Sequence, residues 1–160
     1  MNLNTDDFII EPYKNTTYYG WDSEVTYDII SVEGDEDKTT FVFNIKGTDD
    51  SDSLEDLEEE FEEYEIYGEI SYICKLSFSI NNKFLRIDNK TLLIDVDDLD
   101  ITPFNNVLIE YKSFNLSELQ AENTSKKKAR SIIEKYYDDN KYSEENLEVV
   151  LPFGIEFKLK

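Results

Sequence analysis

The sequence predicts an α+β fold, mainly an antiparallel sheet of about six to eight strands, with two helical regions near 53–65 and 117–139. Two kinds of periodicity lead to this prediction. Several segments alternate apolar and polar residues as half-buried strands do, and two others repeat apolar residues every three or four positions as helices do. The 160 residues, of which 39% are hydrophobic and 14% aromatic, suffice to bury a core in a single domain, 1–160.

The first elements predicted along the chain are a β-hairpin and an acidic helix. Residues 25–46 contain two runs rich in β-branched and aromatic residues, VTYDIISVE and TTFVFNIK, separated by a polar turn that contains Gly34. The helix follows at 53–65, where apolar residues recur at helical spacing: Leu54, Leu57, Phe61 and Tyr64.

The middle of the chain predicts four more strands. Residues 69–80 alternate most regularly, with apolar side chains at the even positions from Ile70 to Ile80. Strand-like segments at 84–88, 91–96 and 107–112 follow, separated by turn-forming pairs such as Asn81-Asn82. Together they predict an antiparallel meander.

The last part of the chain predicts the second helical region and a closing strand or hairpin. The spacing of Ser117 and Gln120 is that of a capping box, and a break is expected near Asn123 and Thr124. A helical stripe continues through Ala129, Ile132, Ile133, Tyr136 and Tyr137. After Pro152 and Gly154, a final strand is expected from the alternation of Ile155, Phe157 and Leu159.

The distribution of charge is the least random feature of the sequence. The net charge is −21, from 37 acidic and 16 basic residues, and residues 47–74 hold twelve of the acidic residues and none of the basic ones. Such a protein should repel nucleic acids and anionic lipids and attract basic protein surfaces. The expected partner is therefore a basic protein.

The sequence lacks residues that several classes of enzyme and metal-binding protein commonly use. The absence of histidine removes imidazole bases and the commonest zinc ligand, and the five glycines never cluster into a phosphate-binding loop. No acidic run has the ligand spacing of an EF-hand. No catalytic, cofactor-binding or metal-ligating residue is therefore assigned, and no cofactor is expected.

A cytoplasmic location is expected. Cys74 is the only cysteine, and it is predicted to pack inside the sheet, since it lies on the apolar face of the 69–80 strand. The N-terminus lacks the pattern of a signal peptide, and no segment has the length of apolar residues that spans a membrane.

The helix at 53–65 is the first candidate contact surface. Its solvent side carries the candidate partner-binding residues Glu55, Asp56, Glu58, Glu59, Glu62 and Glu63. Each acidic pair three or four residues apart destabilises a helix by roughly 0.2–0.5 kcal/mol, which favours a function for the charge. A solvated helix face or a partly disordered acidic loop would have the same sequence pattern.

In charge pattern, residues 49–65 resemble the acidic DNA mimics with which phages block restriction or CRISPR nucleases. Carboxylates that repeat along a helix have a spacing comparable to that of phosphates along a nucleic-acid strand. The resemblance implies a non-enzymatic inhibitor that occupies the nucleic-acid site of a basic protein in the host cytoplasm.

A second candidate contact is the aromatic cluster Tyr13, Tyr18, Tyr19 and Trp21, in a loop-like stretch. Tyr18 and Tyr19 are predicted to bind the partner, because tyrosine is frequent at interface hot spots. Trp21 is expected in the core, and the whole cluster could equally cap one end of it.

Two other functions remain open. An immunity protein that neutralises a toxin nuclease would have the same charge. Asp95 with Glu110 and Lys112 resembles the D…ExK signature of restriction-endonuclease-like enzymes, which implies Mg²⁺-dependent cleavage and a core that ends with a strand at 147–159. The basic residues Lys126–Lys128 and Arg130 are interpreted as a solvated helix face, with pairing to the acidic half as the alternative.

Overall fold

The computed structural model describes residues 2–18, 22–50, 63–116 and 120–160. Within these residues it has ten strands, all paired antiparallel, and two α-helices, which confirms the α+β prediction. The strands are β1 Tyr13–Tyr18, β2 Asp22–Gly34, β3 Lys38–Asp50, β4 Ile66–Tyr67, β5 Glu69–Asn81, β6 Leu85–Asp88, β7 Thr91–Ile94, β8 Phe104–Asn115, β9 Gln120–Ala121 and β10 Glu156–Lys158. The helices are α1 Lys126–Asn140 and α2 Glu144–Val150, and short 3-10 helices lie at Thr5–Asp7 and Asn82–Phe84.

The large sheet contains five strands in the order β1-β2-β3-β5-β8. The predicted hairpin is confirmed as β2 and β3, and the predicted 69–80 strand as β5, each thirteen residues long. One face of the sheet is apolar because alternate residues of these strands are aromatic or aliphatic. Rings of Phe41, Phe43 and Phe78 lie side by side on that face, with centroids 5.4–6.0 Å apart.

The predicted meander is wrong at β6 and β7. This hairpin leaves the large sheet and joins β10 in a second, three-stranded sheet, and the chain then returns to pair β8 with β5. Asn81 caps the 3-10 helix that redirects the chain after β5. Phe157 of β10 stacks on Phe43 at 5.5 Å, so the second sheet covers the apolar face of the first.

The second helical region is confirmed only from residue 126 onward. Gln120–Ala121 pairs with β4 as a short strand, Asn123 has a left-handed φ of 64°, and Ser125 caps α1. The break expected near Asn123 is therefore present, while Ser117 of the proposed capping box lies outside the described residues. All five residues of the predicted stripe are buried in α1.

The end of the chain contains a helix, α2, that the sequence analysis does not predict. Residues 144–150 form α2, which Ser143 caps, so the strand expected at 147–159 is wrong in its first half. The final strand is confirmed as β10, paired with β7. In the core, the buried Tyr27 hydroxyl donates a hydrogen bond of 2.8 Å to the carbonyl of Val150 at the end of α2.

Neither helix of the described residues has the length and apolar composition needed to cross a lipid bilayer.

Gly47 marks a close approach between β3 and β5. It lies opposite Tyr72, and a Cβ atom added at Gly47 would overlap the Tyr72 ring. Gly47→Ala should therefore lower the free energy of unfolding by about 1–3 kcal/mol, the usual cost of overpacking. Urea unfolding measures the change.

The matched control is Thr48→Ala, one residue further along β3 and half-buried on the other side of the sheet. In a Tyr72→Ala background, Gly47→Ala should lose most of its effect, since the ring is gone. An equal loss of stability in both backgrounds would contradict the proposed contact.

Candidate protein-binding surface

The acidic segment connects two neighbouring strands of the large sheet. Asp50 ends β3, Glu69 begins β5, and the two residues are paired in register. Residues 51–62 lie outside the described residues, so the predicted helix at 53–65 and the contacts assigned to Glu55, Asp56, Glu58, Glu59 and Glu62 remain predictions. The whole segment between β3 and β5 therefore begins and ends at the same end of the sheet.

The described residues that flank this connection are acidic as well. Glu63 and Glu65 precede β4, Glu69 begins β5, and Glu122 follows β9; all four are exposed. A hydrogen bond with Glu122 and the negative charge of Glu122 raise the pKa of Glu65. None of the six ion pairs among the described residues involves any of these four carboxyl groups. We call these four residues, with the connection 51–62, the acidic end of the sheet.

The predicted tyrosine contact lies at the same end of the sheet. Tyr18 pairs with Asp22 at the tip of the β1–β2 hairpin, and the register of Glu24 with Thr48 aligns this tip with the end of β3. Tyr19 and Trp21 lie outside the described residues. The strand register thus brings Tyr18 to the end of the sheet at which β3 ends and the acidic connection begins.

Tyr13 is a correction to the aromatic cluster. It begins an edge strand, not a loop, and its ring is buried against Phe157 with the centroids 4.7 Å apart. Its hydroxyl donates a hydrogen bond to the carbonyl of Ile9 at 2.8 Å and accepts one from the backbone N–H of Lys158 at 3.1 Å. The residues that follow Tyr13 in β1 are mostly polar, so β1 has no alternation of apolar and polar residues from which the sequence would predict a strand.

A cluster of tyrosines supports the acidic end from inside. The Tyr137 hydroxyl of α1 donates a hydrogen bond to Asp49 Oδ2, next to the point where the acidic connection leaves β3. The rings of Tyr72 and Tyr111 lie 5.4 Å and 5.1 Å from that of Tyr137. Burial, and then the charge of Asp49, raise the pKa of Tyr72 and Tyr137, so both hydroxyls stay protonated.

In the sequence, Asp49 is one member of an acidic run and is not predicted to form a contact of its own. The signal that identifies its different role is the alternation of β3, in which Phe41, Phe43 and Ile45 point to the core and Asp49 has the same parity. Its partner Tyr137 is 88 residues further along the chain, in an element whose position the sequence alone does not give.

The residues of the nuclease hypothesis fall in different sheets. Asp95 follows β7, and its Oδ2 atom lies 3.8 Å from Nε of Arg86 in β6. Glu110 of β8 pairs with Lys112 at 2.8 Å, and this hydrogen bond and charge lower the pKa of Glu110. In the described part of the chain, no group of three or more histidine, cysteine or acidic side chains is arranged to hold a metal ion.

The remaining candidates have ordinary structural explanations. Cys74 is fully buried, which confirms the predicted packing inside the sheet, and this burial raises the pKa of its thiol to about 12. Lys126–Lys128 form the exposed first turn of α1, and Arg130 pairs with Glu134 one helical turn away at 2.7 Å.

Comparison of the chain with protein-family models, with characterised proteins and with solved structures finds no match.

The Tyr137–Asp49 hydrogen bond should contribute measurably to stability. In Tyr137→Phe the Asp49 carboxylate loses this donor, and the free energy of unfolding should fall by about 1–3 kcal/mol. Tyr111→Phe is the control, since Tyr111 belongs to the same ring cluster and its hydroxyl forms no hydrogen bond among the described residues. Urea unfolding of both variants gives the comparison, and equal effects would contradict the role assigned to the hydrogen bond.

The buried tyrosines should make the fold sensitive to alkali. Burial raises the pKa of Tyr72, Tyr111 and Tyr137 in the folded state, so above pH ~10 only the unfolded chain releases these protons. The free energy of unfolding is then unaffected below pH ~10 and falls above it, by about 1.4 kcal/mol per pH unit for each such tyrosine.

Urea midpoints between about pH 8 and pH 11 test this dependence. Tyr111→Phe should reduce the slope, whereas Tyr142→Phe, at a position 49% exposed, should leave it unchanged. Tyrosinate absorbance that rises while the protein stays folded and equally stable would contradict the prediction.

Proposed function

We propose that the protein is a non-enzymatic inhibitor that binds a basic nucleic-acid-handling protein, such as a CRISPR or restriction nuclease, and occludes its nucleic-acid site. The observation that supports this most directly is that Tyr18 of β1, Asp50 at the end of β3 and Glu69 at the start of β5 lie at one end of the large sheet. A cationic cleft could receive that end while the rest of the sheet stays outside.

The electrostatics of this end support recognition of a basic surface. Glu65 and Glu122 are close enough for Glu122 to raise the pKa of Glu65, and neither forms an ion pair among the described residues. A lysine- or arginine-rich partner would supply the missing counter-charge. Charge of one sign concentrated on one region also accelerates encounter, by factors of about 10 to 1,000 at low salt.

The described residues on either side of the acidic connection are held by tertiary contacts. The Tyr137–Asp49 hydrogen bond ties α1 to β3 one residue before β3 ends, and β4 pairs with β9 where the chain returns. Both attachment points of the connection are therefore fixed before binding, which lowers the ordering entropy that association has to overcome.

An immunity protein directed against a toxin nuclease would use the same contact, and the identity of the partner decides between the two. In either case, the proposed setting is the cytoplasm, which for a phage-encoded inhibitor means that of the host.

Charge reversal at the acidic connection tests the proposal. Replacing Glu55, Glu58, Glu59 and Glu62 by lysine should abolish salt-sensitive capture of a basic nuclease from host lysate. With the purified partner, the association rate constant should fall at least about tenfold at low salt, and the partner should regain nucleic-acid binding.

The matched control reverses four exposed acidic residues elsewhere: Glu36, Asp97, Asp98 and Asp139. Both variants change the net charge equally, so only the location differs. An equal loss of binding in both would indicate a general charge effect, and unchanged binding in the first variant would refute the mimicry mechanism.

A further inference from the structure

Strand β8 forms one edge of the large sheet. Among the described residues its strand partner is β5 alone, on one side. In an antiparallel pair, the N–H and C=O groups of every second residue point away from the partner strand. Within the described part of the chain, residues 105–114 form no main-chain hydrogen bond outside the pairing with β5. The outer side of β8 therefore carries a row of donors and acceptors available to a further strand.

A groove of about 520 Å³ lies between this edge and helix α1. Tyr111 and Phe114 of β8 form its aromatic floor, and their rings lie 5.1 Å and 5.3 Å from the ring of Tyr137 in α1. Tyr111 is only half-buried, so part of its side chain is still open to contact. The edge of β8 thus has an apolar surface beside its free backbone groups.

The opposite wall of the groove is one face of α1. Its residues have the spacing of three, four and seven positions that places side chains on one side of a helix: Ser131, Glu134, Lys135 and Asp138. With Lys112 of β8, the groove carries two charges of each sign. The charges of the groove therefore favour neither a basic nor an acidic ligand, which leaves the backbone groups and the aromatic floor to select one.

The shape of β8 favours a single segment over the edge of another sheet. Tyr111 and Ser113 pair with neighbouring residues of β5, so Lys112 between them is the extra residue of a β-bulge. A bulge bends its strand and increases the local twist. This disfavours the long, flat pairing by which exposed sheet edges aggregate, whereas a short, separate segment adapts to the bend.

We propose that this groove binds an extended peptide segment, which adds a strand to the large sheet beside β8 and places apolar side chains at alternate positions against Tyr111 and Phe114. Main-chain hydrogen bonds supply affinity in this mode of recognition, and the contacts of alternate side chains supply specificity. The backbone groups of β8 specify the occupant, because their spacing along the edge is that of a strand. Residues 108–114 span about 20 Å, the length of a typical strand.

Selection of binders from a phage-displayed library of random twelve-residue peptides, with the full chain as target, tests the proposal. Peptides with apolar residues at alternate positions should be enriched, with dissociation constants in the micromolar range. Their affinity should change little between about 50 and 500 mM salt, because salt screens charges and not backbone hydrogen bonds. Binding of a basic partner at the acidic end weakens with salt, so the two associations can fail independently.

N-methylation of the best peptide, one residue at a time, distinguishes strand addition from other modes of binding. Methylation at every second residue should weaken binding at least about tenfold, since those N–H groups donate to β8. Methylation at the intervening residues, whose N–H groups point away from β8, should have an effect below about twofold.

The variant Lys135→Trp places a large ring in the groove and should weaken peptide binding at least about tenfold. Lys128→Trp is the matched control, since it makes the same change at an exposed lysine of α1 that does not line the groove. Urea unfolding verifies that both variants are folded. Sedimentation equilibrium of the full chain determines whether a second copy occupies the groove instead.

Peptides that lose affinity with a period of two residues and bind Lys128→Trp but not Lys135→Trp would support the proposal. A selection that yields no binder, or only lysine-rich peptides whose affinity falls with salt, would overturn it. So would equal effects of the two tryptophan variants, or a dimer of the chain that Lys135→Trp disrupts.

Discussion

The pairing of β3 with β5 determines where the other parts of this molecule lie. Thirteen residue pairs run without a bulge from Lys38 opposite Asn81 to Asp50 opposite Glu69. The neighbouring pairings, β2 with β3 and β5 with β8, contain register shifts, so this central ladder is the most regular part of the large sheet. Because strand alternation has a period of two, its register fixes which side chains enter the core and which face outward.

The distribution of charge follows that ladder. At its end, exposed glutamates around β4 and β9 collect negative charge without ion pairs among the described residues. Along its outer side, Lys14 of β1 pairs with Glu24 of β2, and Lys112 pairs with Glu110 of the same strand β8. The acidic residues at the end of the sheet are therefore the ones left to meet a basic partner.

Residues with a strong local pattern made much of the fold predictable from sequence. The alternation from Ile70 to Ile80 gave β5, and the stripe from Ala129 to Tyr137 gave α1. The errors have identifiable causes. Val149 and Val150 favour strands intrinsically, yet Ser143 and two glutamates in the first turn start a helix there.

The candidate surface was predictable only in part. Composition identified the acidic run and the tyrosines near Tyr18, but their meeting at one end of the sheet depends on strand register. The role of Asp49 depends on Tyr137, which tertiary packing brings to it.

The pairing of Asp50 with Glu69 has a consequence for redesign. These two residues are held together by the sheet itself, so the segment between them, which includes the acidic connection, closes a loop whose ends are already in place. For a flexible loop, each doubling in length costs only about 0.6 kcal/mol of closure entropy. The connection is thus an exchangeable module: segments of other lengths and charges could be grafted between these strands, and one scaffold could be directed at a series of different targets.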